Sequence, residues 1–429
     1  MQNRGRDWRT ILLVIGGAGG TLFAFGVALL TVLVNSIQTI LHTSTKNSPS
    51  LTQTFVLASA LLFVGAMLLP AVYFGIQRLR GKEIAAGSPR PLKIWEALLI
   101  VAAWIAVSFL AQGLFDSGIL AWLTPPFYLL AIALPVYFLV RLATSSLEAG
   151  SRERFWGALA TGMVIGTSIA VLIEMALLII GLLVVGLYIG LHPELLMSFR
   201  QMANQLSNTS TLDDVLTVAG PYLNNPLTIL LGLFFFSVLT PLIEETSKSI
   251  AIWLLFDHLN SPAQGFVVGA LSGAGFGLLE SLLASASPDT GWASTLLVRG
   301  GSTMMHIMSA SITGWGIATF RANKRFRFVI GAYALAMFLH SLWNACVVLI
   351  VGGGVRMVAG TNSPDPIGIV MAIVGVSILV VLCVVIPFSL GMINWKFRTT
   401  VPPQIVTQPA VVVSPQPPME ENGNGSGVK

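Results

Sequence analysis

Charge is scarce in this sequence. Aspartate, glutamate, lysine and arginine together make up 10% of the 429 residues, against about 25% in ordinary globular chains. Apolar side chains make up 55%, and the mean hydropathy is +0.82. A chain of this length would otherwise suggest about three soluble domains; this composition excludes them, together with a disordered chain and a nucleic-acid binder. Cysteine is almost missing too. Cys346 and Cys383 both lie in apolar runs, so there is no disulfide scaffold, and they read as small core hydrophobes. Several catalytic signatures are absent. There is no H-E-x-x-H, which excludes an ordinary zincin, and no G-x-S-x-G. No serine or cysteine stands with a histidine and a persuasive orienting acid, so nucleophilic catalysis is disfavoured.

What the chain has in quantity is long apolar runs. About 20 such residues cross a hydrocarbon core roughly 30 Å thick. That ruler gives about ten spans, near 11–34, 54–76, 97–115, 118–140, 160–190, 226–257, 263–286, 296–320, 327–351 and 367–394. An all-α polytopic membrane protein is expected. The first span follows Arg4, Arg6 and Arg9, but it is too long for a signal-peptide core and no A-x-A-like site follows, so it reads as a retained helix. Cationic side chains set the orientation, because cytoplasmic loops carry the excess. Alternating spans leave 18 of the 23 lysines and arginines on the face of both termini, and only Lys46, Arg200 and Arg356 on the other. Both ends are therefore expected in the cytoplasm, and the net charge of +5 is a matter of topology.

The expected organisation has four parts. Residues 1–225 hold about five spans and an outside loop at 191–225, with Ser207, Asn208, Asp213 and Asp214, able to form a short surface helix or flap. Residues 226–351 form the helical core that carries the chemistry, 352–399 the last span, and 400–429 a Pro/Val/Gln-rich disordered tail. Small-residue spacings at Gly16/Gly20, Gly162/Gly166 and Gly269/Gly273/Gly277 suggest close helix contacts in lipid.

Ionisable groups inside spans are expensive and mark functional sites. They concentrate in about 100 residues. The sixth span reads Pro241-Leu242-Ile243-Glu244-Glu245-Thr246-Ser247-Lys248. Glu244 and Lys248 are spaced for a helical ion pair, which leaves the adjacent carboxylate in surplus. Two neighbouring carboxylates in low dielectric do not both ionise cheaply, which is how a site obtains a general acid or base. Pro241 is expected to break the helix just before the pair. The seventh span brings Glu280 behind a glycine face, the eighth Arg299 and His306 on one face, the ninth His340 and Asn344 on one face. Counted from the cytoplasmic ends at about 1.5 Å per residue, Glu244, His306 and His340 lie at about 20 Å and Glu280 at about 25 Å. One shared site follows from that common height. Each group also has a plainer reading: a structural ion pair for Glu244, Glu245 and Lys248, a packing acid for Glu280, core histidines for His306 and His340, an interfacial anchor for Arg299. Glu174, alone in the fifth span, reads as structural.

Three carboxylates with two imidazoles either hold a divalent metal that activates water, or activate water directly, with histidine and asparagine stabilising an oxyanion. The ordered set E-E-x-x-K at Glu244, Glu245 and Lys248, G-x-x-F-x-x-x-E at Gly273, Phe276 and Glu280, His306, and H-x-x-x-N at His340 and Asn344 resembles the PrsW family of intramembrane proteases. That family is related to the type II CAAX prenyl endopeptidases and bacteriocin-processing (CPBP) proteins. Glu280 stands where the endopeptidase pattern has histidine, and Lys248 where it has arginine; both departures favour the PrsW side. The resemblance, covering about 240–350, implies hydrolysis of a peptide bond in a membrane protein substrate, an anti-sigma factor for the prototype, near the extracytoplasmic side. It implies Glu245 or Glu244 as general base, His306 and His340 as metal ligands or oxyanion donors, Glu280 as a further ligand or orienting acid, and Asn344 as an oxyanion stabiliser, with Lys248, Phe276 and Arg299 in support. A zinc-like metal would take its ligands from Glu245, Glu280, His306 and His340; a metal-free glutamate mechanism is the alternative within the family. A bacterial or archaeal plasma membrane suits ten spans. The competing classes are a proton-coupled transporter and an inactive membrane scaffold.

Overall fold

The computed structural model describes residues 7–41, 50–82, 84–85, 89–209, 212–223, 225–289, 291–359 and 365–400. Arg4, Arg6, Lys46, Lys429 and the tail after 400 lie outside the described residues. Among these residues the chain is helix and connecting turn, with no strand. The first half contains α1 (Trp8–Ile40), α2 (Leu51–Leu79), α3 (Ile94–Asp116) and α4 (Thr124–Thr144). Next comes a long rod made of α5 (Arg152–Ala160), a π-helical turn at Thr161–Gly166, and α6 (Thr167–Gly190). Two amphipathic helices, α7 (Pro193–Ser207) and α8 (Leu212–Leu223), occupy the segment read as an outside loop. A second rod joins α9 (Pro226–Phe234), a π turn at Phe235–Leu239 and α10 (Thr240–Leu254). Four helices complete the chain: α11 (Pro262–Ala284), α12 (Trp292–Asn323), α13 (Arg327–Ala359) and α14 (Pro366–Thr400).

Local chemistry sets the helix starts. Ser50 and Gln53 close a reciprocal cap at the head of α2, Ser151 caps α5, and Ser261 caps α11 with Pro262 next. A helix is found at each of the ten expected spans. Nine stretches among the described residues are long and apolar enough to cross a membrane; α12 is not one of them. Its side chains include Arg299, Ser302, Thr303, His306, Ser309, Ser311 and Thr313, and every residue from 300 to 319 except Trp315 is buried. A helix enclosed by protein needs no apolar surface. The protein is thus an all-α polytopic membrane protein with a polar helix at its centre.

Glycine lets α11 and α12 meet backbone to backbone. A methyl group at Gly265, Gly269 or Gly273 would fall within 2.1–2.3 Å of the carbonyl oxygens of Gly314, Ala310 and His306. On its other side, α11 presses against the first rod, where a methyl at Gly275 would lie 2.0 Å from the Leu159 carbonyl and one at Gly162 2.1 Å from that of Ser272. Every residue of α11 from Gly265 to Leu278 is buried. Close approach of this kind sets helix positions tightly. The functional groups of α11 and α12 thereby gain a fixed register.

Candidate active site

The E-E-x-x-K stretch begins α10, immediately after the π turn. The π turn interrupts the regular ladder just before Pro241, where the sequence led us to expect a disruption, and the rod continues beyond it. Pro241 sits in the first turn of α10, where the π turn has already interrupted the regular ladder, so its missing N–H removes little. Asn344 donates to the Phe236 carbonyl inside that turn at 2.8 Å, satisfying an acceptor there and pinning α13 to the second rod. Tyr333 fastens the same pair of elements, donating to the Leu242 carbonyl at 3.0 Å.

Four helices bring their ionisable groups together. Lys248 is wholly buried, its Nζ 2.8 Å from Glu245 Oε1, 3.2 Å from Glu244 Oε2 and 2.7 Å from His306 Nδ1. The ammonium also lies over the Phe276 ring, 4.6 Å from its centroid, a placement that adds cation–π attraction. Glu245 Oε1 accepts from Lys248, from His340 Nδ1 at 2.7 Å and from Ser309 Oγ at 2.9 Å. His306 Nε2 lies 2.6 Å from Glu280 Oε2, and the other oxygen of Glu280 pairs with Arg299 at 2.8 Å.

These contacts fix the tautomers. An ammonium can only donate, so His306 Nδ1 accepts from Lys248 and the ring proton sits on Nε2, facing Glu280. His340 donates from Nδ1 to Glu245 and leaves Nε2 bare. Both unprotonated nitrogens turn to one atom: His306 Nδ1 is 3.6 Å and His340 Nε2 3.7 Å from Glu244 Oε2. That oxygen is buried and without a hydrogen bond, as is Oε2 of Glu245. The imidazole rings stand at 90° with centroids 5.2 Å apart, converging on the carboxylate from two helices.

The expected common height is wider than the sequence reading gave. Along the observed helices at about 1.5 Å per residue, counted from the arginine-bearing ends, Glu244 is at about 15 Å, His340 about 20 Å, His306 about 25 Å and Glu280 about 27 Å. The same groups nevertheless touch, so the helices reach one site from unequal starting heights. Exposure increases towards the arginine-poor end. Glu244, Glu245, Lys248 and both histidines are buried, whereas the side chain of Glu280 is 30% exposed and that of Arg299 17%. Glu280 is four residues, about 6 Å of rise, from the end of α11.

Two residues beside these groups had no sequence signal of their own. Ser302 and Ser309 lie four residues before and three after His306, on its face of α12, with Ser302 Oγ 3.2 Å from His306 Nε2. Glu174 on α6 has a buried oxygen without a hydrogen bond.

A buried constellation of histidines and carboxylates at the meeting point of membrane helices is an arrangement that acid–base or metal-assisted hydrolysis within a membrane can use. The model of the PrsW family intramembrane metalloproteases matches residues 151–386, more than half of the chain, and the chain belongs to that family. No curated protein and no solved structure matches it. The protein is therefore a membrane-embedded peptidase.

The family's metal can be tested against the side chains. One ligand atom each from Glu244, His306 and His340 lie within 4.8 Å of one another. Two imidazoles and a carboxylate are a donor set suited to a catalytic zinc. Glu245 accepts from the remote nitrogen of His340, and Glu280 Oε2 lies 2.6 Å from that of His306, positions suited to support metal-binding histidines. Together with the buried Oε2 of Glu244, which accepts no hydrogen bond, this arrangement fits a divalent cation. Lys248 now engages two of the same atoms, so an ion there would displace the ammonium from His306 and Glu244 and leave it with Glu245.

Proposed function

We propose that Glu244, His306 and His340 form the hydrolytic centre, and that it cleaves a peptide bond in a membrane protein substrate near the arginine-poor face. The observation that carries this reading is the convergence of two unprotonated imidazole nitrogens on one buried carboxylate oxygen. Glu245 and Glu280 favour the tautomers that keep those nitrogens unprotonated. Arg299 orients Glu280, Ser309 orients Glu245, and Asn344 holds the rod that presents Glu244. A divalent ion held by the three residues would polarise the scissile carbonyl and lower the pKa of bound water. With Glu244 committed to the ion, Oε2 of Glu245 is the adjacent carboxylate oxygen left to take the water proton and pass it to the leaving amine.

The position of Lys248 favours a second reading, in which the ammonium keeps the carboxylates apart in charge and Glu244 Oε2 itself takes the water proton. Chelation separates the two. On the metal reading, purified protein carries about one equivalent of metal by elemental analysis, Glu244→Gln and His306→Ala lose it, and a chelator stops cleavage until metal is restored. On the second, cleavage survives chelation and stops in Glu244→Gln. Loss of neither activity nor metal in these variants would remove the site from the reaction.

The cationic bias supports placing the arginine-bearing face in the cytoplasm of a prokaryotic plasma membrane. Cleavage then falls near the extracytoplasmic side, where a signalling protein such as an anti-sigma factor presents its juxtamembrane segment.

A further inference from the structure

The arginine-bearing end of the bundle holds a second polar site, remote in sequence from the motifs. The start of α1, the end of α2, the first turn of α5 and the segment after α10 meet around a cavity of about 70 Å³. Its charged and titratable lining is Asp7, Arg9, Arg78, Glu153, Arg154 and His258. Three guanidiniums thus face one small space, and their donors are poorly used. Arg9 donates to Asp257 at 2.7 Å and to His258 Nδ1 at 3.2 Å, while its Nε is buried without a partner. Arg78 comes no closer than 3.8 Å to Glu153, whose carboxylate already accepts from Thr10 at 2.7 Å. Arg154 donates to the His258 carbonyl at a long 3.4 Å. The Asp257 that answers Arg9 is 66% exposed, so that pair is screened by solvent. Burial, then the charges of Arg154 and Arg9, hold the His258 pKa below its usual value of 6.5 and keep the ring an uncharged neighbour at neutral pH.

An apolar groove of about 90 Å³ adjoins this cavity and shares Arg9, Leu13, Thr161 and Leu254 with it. Gly16, Leu68, Val164 and Ile165 line its length. At its rim Trp8 is half exposed, its ring 5.6 Å from the Arg9 guanidinium carbon, as suits a side chain at a membrane–water interface. We propose that the two spaces together bind one anionic phospholipid, its phosphate among Arg9, Arg78 and Arg154 and one acyl chain along the groove. A planar guanidinium matches phosphate geometry, and basic pockets between membrane helices at the cytoplasmic side take anionic headgroups. The continuity of cation site and apolar groove selects a lipid over a free anion. Such a lipid ties α1, α2 and the first rod together at this face.

Native mass spectrometry of the full-length protein, delipidated in mild detergent and titrated with phosphatidylglycerol, phosphatidylcholine or inorganic phosphate, tests this. One phosphatidylglycerol is expected to be retained in preference to phosphatidylcholine. The double variant Arg78→Gln/Arg154→Gln should weaken retention about tenfold, the effect of losing a charged hydrogen bond. Gly16→Leu should weaken it comparably and leave the fold intact, since a methyl at Gly16 meets no atom within 4 Å; it fills the groove and leaves every charge in place. Lys396→Gln, exposed on the same face, should change nothing. Equal retention of the two lipids, wild-type retention by Gly16→Leu, or displacement of lipid by inorganic phosphate would each overturn the proposal.

Discussion

Lys248 is a lysine buried among carboxylates in the middle of a membrane protein, and the stability of the site depends on it. Removing one partner of a buried ion pair leaves an uncompensated charge and costs about 3–5 kcal/mol. Lys248→Met should therefore lower unfolding stability by about that much in denaturant titrations in mild detergent, and Glu245→Gln in the same chain should restore part of the loss. Glu280→Gln is expected to keep the fold, by circular dichroism, and to slow cleavage about 10–100-fold, the usual effect of releasing a catalytic histidine from its supporting carboxylate. The members of this cluster were legible in sequence because charges inside apolar runs are costly and few. Their pairing was not. Whether Glu245 or Glu280 faces a given histidine depends on the register between helices, and Ser309 looks like any serine in a membrane span until His340 and Lys248 arrive at the same oxygen.

α11 and α12 show why that register is firm. Leucine at Gly273 would drive a side chain into the His306 carbonyl, 2.3 Å from where its first carbon must sit. Gly273→Leu should abolish folded, monodisperse protein in size-exclusion chromatography. Gly186→Leu, on α6 where a methyl meets nothing within 4 Å, should be tolerated. The glycine spacing in α11 was readable beforehand, but the π turns that end α5 and α9 were not, although Pro241 marked an interruption at the second. The turn between α10 and α11 gives a pH signature. His258 there has its folded pKa held below 6.5 by burial and by Arg154 and Arg9. The unfolded chain therefore binds its proton first as pH falls, so this group's contribution to stability is complete above about 6.5 and declines as pH drops through that value. NMR of the labelled imidazole should show titration below 6.5, and His258→Asn should remove this part of the acid sensitivity.

The molecule as a whole has two polar ends to its chemistry: a cationic face with the lipid pocket, and a site that grows more exposed towards the opposite face through Glu280 and Arg299. The long apolar runs made the membrane class readable from composition alone, whereas the central, enclosed position of α12 could not be read from its own sequence, since polar side chains on a span signal burial only once the surrounding helices are known. Cleavage of single-span substrates in proteoliposomes, measured for wild type, Glu244→Gln and His340→Ala matched for folding, tests the site most directly. Wild type is expected to cut its substrate near the arginine-poor face, and both variants should lose about 100-fold or more of that rate, the scale of losing one electrostatic or acid–base catalytic group. Cleavage at the wild-type rate by either folded variant would contradict the assignment of Glu244, His306 and His340 as the hydrolytic centre.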